Sequence, residues 1–146
     1  MSYSTWSCNG YGIKISEGDI SPSKLVDFLK KYFPDFCESG DAITEDNVMD
    51  TVRYEFENTY SYSCCGVASV LAEVIRRDRN IVLEDFQDWD GNIYLLYTPK
   101  YPWSNISSNE KEIQTREDII NLIGEYWTQI SYAPMDIDYW DVQNGG

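Results

Sequence analysis

The chain has 146 residues, 42% hydrophobic, 25% charged and 15% aromatic, which fits one folded domain (1–146) and excludes a disordered chain. The 11 Lys and Arg stand against 25 Asp and Glu, a formal net charge of −14, where solubility asks only about 2–8 of a small domain. That charge excludes a phosphate-binding basic surface, so direct nucleic-acid binding is not expected and a basic partner is.

From Tyr3 to Ile15 the chain reads as extended structure broken by a glycine turn at Gly10 and Gly12. Ser21-Pro22 opens a helix, Ser as N-cap and Pro at the first helical position, and Pro34 ends it. A second helix is expected from about Thr44 to Thr59, with Val48, Met49, Val52 and Phe56 on one stripe and acids on the other. A third, from about Ser63 to Arg77, carries Val67, Val70, Leu71, Val74 and Ile75 beside small residues, the pattern of a buried helix. Ile81-Val82-Leu83 and Ile93 to Tyr97 read as strands of a β-hairpin around Asp90-Gly91, with Pro99 and Pro102 beyond the second. A loop follows from Trp103 to Glu112. Thr115 with Asp118 marks the start of the last helix, and Met135 to Val142 alternates apolar and acidic residues as a half-buried strand does. The expected fold is α+β: a single compact domain of about four helices packed on a small, mostly antiparallel sheet with a central β-hairpin.

Histidine is absent, which removes Ser-His-Asp and Cys-His catalysis and the usual zinc-enzyme ligand sets. Cys8, Cys37, Cys64 and Cys65 lack paired C-x-x-C spacing, so they read as small hydrophobes rather than metal ligands, and no disulfide is needed. Glu84, Asp85, Asp88 and Asp90 superficially resemble part of a calcium loop, but Phe86 stands where an acid is required, and a solvated hairpin tip is the simpler reading. No phosphate-cradling glycine motif occurs. No cofactor and no catalytic residue are expected.

What remains is the placement of acids. Asp35 to Glu57 holds eight acids and one base, Arg53. The functional reading is a docking face for a groove that otherwise holds phosphate; an ordinary solvated acidic face is the simpler one. The candidate partner-binding residues are Glu45, Asp46, Asp50, Glu57, Asp85, Asp88 and Asp90. Met1 is followed by Ser-Tyr-Ser-Thr-Trp with no basic start or apolar run, so a cytoplasmic location and no membrane contact are expected.

Trp6 to Gly12, Ala72-Glu73-Val74-Ile75, Gly91 to Tyr97, Tyr101-Pro102-Trp103 and Gly145-Gly146 together resemble a group of small acidic proteins from Gram-positive gut bacteria and their phages or mobile elements. The resemblance implies an anti-CRISPR-like role: a non-enzymatic inhibitor occupying the nucleic-acid surface of a basic partner such as a Cas nuclease. The alternatives are an immunity protein against a basic nuclease toxin, and a small histidine-free enzyme.

Overall fold

The computed structural model describes residues 5–38, 42–56, 65–98, 113 and 115–145. Among these residues four strands form one antiparallel sheet: β1 (Thr5–Ile15), β2 (Glu84–Gln87), β3 (Ile93–Tyr97) and β4 (Asp136–Gly145). Their spatial order is β2-β3-β1-β4, so β1 is interior and β4 is an edge. The α+β expectation holds, and the hairpin forms with β3 inside the sheet and β2 at its other edge.

The helices are α1 (Pro22–Tyr32), α2 (Pro34–Glu38), α3 (Val48–Thr51, running into a π turn at Val52–Phe56), α4 (Val67–Arg79) and α5 (Arg116–Trp127). Ser21 caps α1 by accepting from the Lys24 amide, with Pro22 at the first position. At α5 the capping box is complete, Thr115 accepting from the Asp118 amide while Asp118 accepts from that of Thr115. Asn80 ends α4 in the left-handed conformation, which Asn tolerates well.

Several boundaries differ from the pattern. Gly10 and Gly12 make no turn; β1 runs straight through them because its backbone lies too close to β3 for a side chain. A Cβ on Gly12 would sit 2.0 Å from the Leu95 carbonyl oxygen, and one on Gly10 2.1 Å from that of Tyr97. The first hairpin strand is the polar Glu84–Gln87, three residues later than expected; Ile81 and Leu83 are buried in the core from a non-strand segment. Pro34 stops α1 and also starts α2. Among the described residues the second expected helix is only α3 and its π turn; its expected end lies outside them, as do Ser63, Pro99, Pro102 and the loop Trp103 to Glu112.

One face of the sheet is covered by the helices. Ile13, Ile15, Ile93 and Leu95 pack against the apolar sides of α1, α4 and α5, with Leu25, Leu29, Val70, Leu71, Ile123 and Trp127 buried. Phe33 and Phe36 meet Phe56 edge to face at 5.0 and 5.6 Å, joining the α1–α2 junction to the π turn. On the other face Cys8, Tyr94, Leu96 and Val142 form a smaller cluster with Phe86 and Trp140. Trp140 lies along the glycine stretch of β1, its indole N–H donating to the Gly12 carbonyl at 3.2 Å.

Candidate functional site

The hairpin turn is built by one carboxylate. Asp88 Oδ1 accepts from the Asp90 and Asn92 amides, both at 2.9 Å, and Oδ2 accepts from the Asn92 side chain and the Tyr94 hydroxyl, both at 3.0 Å. An Asp that gathers its own downstream amides fixes a turn. Gly91, at φ 86°, supplies the positive dihedral this turn needs. Burial pushes the Asp88 carboxyl up, but the Asn92, Tyr94 and Asp90 donors outweigh it and hold it below the usual carboxylate range.

Around this turn the topology gathers charge at one end of the sheet. β1 ends there at Ile15, β3 begins at Ile93, β2 ends at Gln87 and β4 begins at Asp136, opposite Lys14. Burial, the Asp88 hydrogen bond and the charges of Asp88, Asp90 and Asp136 push the Tyr94 hydroxyl up to about 12. Asp136, distant in sequence, therefore belongs to the hairpin's electrostatic neighbourhood. The helix-side flank of this end opens into a cavity of about 460 Å³ walled by Glu17, Arg53, Gly66, Gln87 and Asn92 among others. Arg53 reaches across its rim to pair with Glu17 and, at 3.9 Å, with Asp50.

The expected partner-binding residues divide. Asp90, Glu45, Asp46 and Asp50 are exposed. Asp85 is half-buried and faces the helix layer, accepting from the Ser69 hydroxyl at 2.6 Å. Asp88 is half-buried in the turn. Neither is a solvated tip acid, because β2 begins later than the apolar pattern suggested and carries Asp85 inward opposite Leu95. Glu57 lies outside the described residues. Sequence reasoning did not select Glu17, Asp136 or Asp138; the alternation of Asp136 and Asp138 with Ile137 and Tyr139 gave a strand but no hint of what it would adjoin.

Among the described residues, three further arginines and one lysine are held by polar partners. Arg76 and Arg77 both pair with Glu73, and Arg79 pairs with Glu125. Lys24 donates to the Thr128 and Ser131 carbonyls just beyond α5 and lies over the Tyr132 ring. Burial pushes Glu73 up, but its two arginines prevail and lower it. Among the described residues no three of Cys, Asp and Glu converge as a metal would require, and no helix is long and apolar enough to cross a membrane. Compared with family models, curated proteins and solved structures, the chain matches none.

Proposed function

We propose that this chain is a non-enzymatic binding protein that presents its acidic hairpin end to a basic partner, in the manner of an inhibitor seated on a nucleic-acid-handling enzyme. The observation that carries this reading is the partition of charge. Arg53, Arg76, Arg77 and Arg79 are drawn into pairs with Glu17, Glu73 and Glu125, while Asp90, Asp136 and Asp138 stand exposed around one end of the sheet, where Lys14 is half-buried opposite Asp136. Carboxylates held on a rigid turn and a strand end meet lysines and arginines without first paying the entropy of ordering a loop. Glu45, Asp46 and Asp50 are exposed on and before α3.

The test is a salt-series capture from host lysate, identification of the bound protein, and competition against nucleic acid on that purified partner. A basic enzyme whose nucleic acid is displaced, with affinity falling about tenfold or more when Asp90 and Asp136 are both changed to Lys, supports the reading. A partner insensitive to salt and to both reversals, or no specific partner, sinks it.

A further inference from the structure

We propose that the outer edge of β4 is a strand-addition site for an extended basic segment of the partner. This rests on the binding reading above and names the contact through which it works.

β4 is paired with β1 over ten consecutive residue pairs, Thr5↔Gly145 to Lys14↔Asp136, without a bulge. No strand among the described residues pairs with its other side. Natural edges are blunted by shortness, proline, a bulge or charged side chains, lysine above all; the charges on β4 are Asp136, Asp138 and Asp141, which repel a second acidic edge but not a basic strand. The opposite edge, β2, has four residues; β4 has ten, with no Pro and no Lys. Both of its faces carry exposed side chains, Asp136 and Asp138 on one and Tyr139, Asp141 and Gln143 on the other, while Val142 is buried and Ile137 and Trp140 are half-buried.

One bond orients the backbone. The Tyr139 amide donates to the carboxylate of its own neighbour, Asp138 Oδ1, at 2.8 Å. In an antiparallel ladder the N–H and C=O of a residue point to the same side and alternate along the strand. Tyr139 therefore presents its backbone outward, as do Ile137, Asp141 and Gln143, while Asp138 and Trp140 bond β1. The close Tyr11–Tyr139 ring contact, 5.2 Å edge to face, is what a non-hydrogen-bonded pair allows. Asp138 thus covers an edge donor that an incoming strand's carbonyl would take over, freeing the carboxylate for a cation. Asp136 and Asp138 lie on one face of β4, followed there by Trp140 and Val142; Asp141 lies on the other, beside Tyr139. The complementary segment carries Lys or Arg beside the first pair and an apolar residue beside Trp140. A second copy of this chain is disfavoured as occupant by its own −14 charge.

The experiment uses the full chain and a ten-residue peptide whose alternate positions read valine, valine, lysine, lysine for antiparallel pairing with Val142, Trp140, Asp138 and Asp136, with threonine between, and binding is read by titration calorimetry at low salt. The first control is the same peptide N-methylated on alternate amides, which keeps the charge and loses the ladder. Asp141→Pro blocks the edge, since proline is tolerated where an edge N–H faces solvent; Asp141→Ala controls for charge. Support is binding that falls at least tenfold on N-methylation and in Asp141→Pro, and less than threefold in Asp141→Ala. Equal binding of the methylated peptide overturns the edge site and leaves the electrostatic reading standing. If Asp141→Pro does not fold, the N-methylated peptide decides alone, and equal binding of it overturns the edge site. No binding of the peptide at all overturns strand addition, while the lysate-partner assay still judges the acidic reading. A dimer in analytical ultracentrifugation that Asp141→Pro dissolves overturns the basic occupant in favour of a second copy.

Discussion

Replacing Asp88 by Ala removes an acceptor shared by two turn amides, one side-chain amide and one phenol. The turn amides at Asp90 and Asn92 can exchange their partner for water. The Tyr94 hydroxyl is worse placed, on a side chain only 4% exposed. Bonds to a charged acceptor contribute about 1.5–3 kcal/mol each, and an orphaned buried hydroxyl costs about 1–3 kcal/mol. Within one network these terms do not add, so the expected loss is about 3 kcal/mol, or about 6–12 °C in Tm for a chain of this size. The assay is urea unfolding followed by tryptophan fluorescence, repeated with Tyr94→Phe and the double variant. The double variant should lose less than the sum of the single losses, with a coupling of about 1–2 kcal/mol. The Asp88 carboxyl is lower in the folded state, so its contribution is present above the unfolded value near about 4 and disappears as pH falls through the folded one. The wild-type urea midpoint should therefore drop more steeply below about pH 4 than that of Asp88→Ala. A loss under about 1 kcal/mol, or no coupling to Tyr94, would refute the assignment of the turn to this carboxylate.

Gly12→Ala drives a Cβ into the Leu95 carbonyl and should cost more than about 3 kcal/mol or prevent folding, whereas Gly18→Ala, with open space around it, should stay within about 0.5; circular dichroism melts compare them. Thr115→Ala breaks the α5 capping box and should cost about 1 kcal/mol, measured by the same melts. Burial and the charges of Glu84 and Asp85 push the Cys8 thiol up to about 11. Burial also raises Cys37, against the lowering charge of Lys30, but Cys37 is only half-buried, so of these two native-state alkylation at pH 8 should modify Cys37 first, with Cys8 following after unfolding; peptide mass mapping reads the order.

The sequence was legible where a local signal and the tertiary fold agree. Ser21-Pro22 and Thr115-Asp118 cap α1 and α5 because N-terminal capping is a local bond. The alternation from Met135 onward marks β4 because one face of that strand is partly covered. It was misleading where tertiary approach decides. Glycines at positions 10 and 12 look like a turn, yet they are what lets β1 press against β3. Ile81-Val82-Leu83 has strand composition, but the Asp88 turn sets the register and pairs polar Glu84–Gln87 instead. The same turn explains why the candidate site was half read: four nearby acids announced a charged hairpin, but only the fold shows that Asp85 and Asp88 turn inward while Asp136 arrives from elsewhere in the chain to share the rim.

The placement of β1 sets the order in which this sheet can be completed. Tyr11 must wait for Tyr97 to close one flank, and for Tyr139 to close the other. Until then the glycine-bearing strand has two open sides, and its buried residues Ile13 and Ile15 lack their cover. Loop closure over such separations makes folding slow relative to a helical protein of equal length. During synthesis, β1 leaves the ribosome long before either neighbour exists. The helices α1 to α4 are made in the interval and can cover the Ile13 and Ile15 face, but both backbone edges of β1 stay open to another strand until β3 and β4 arrive.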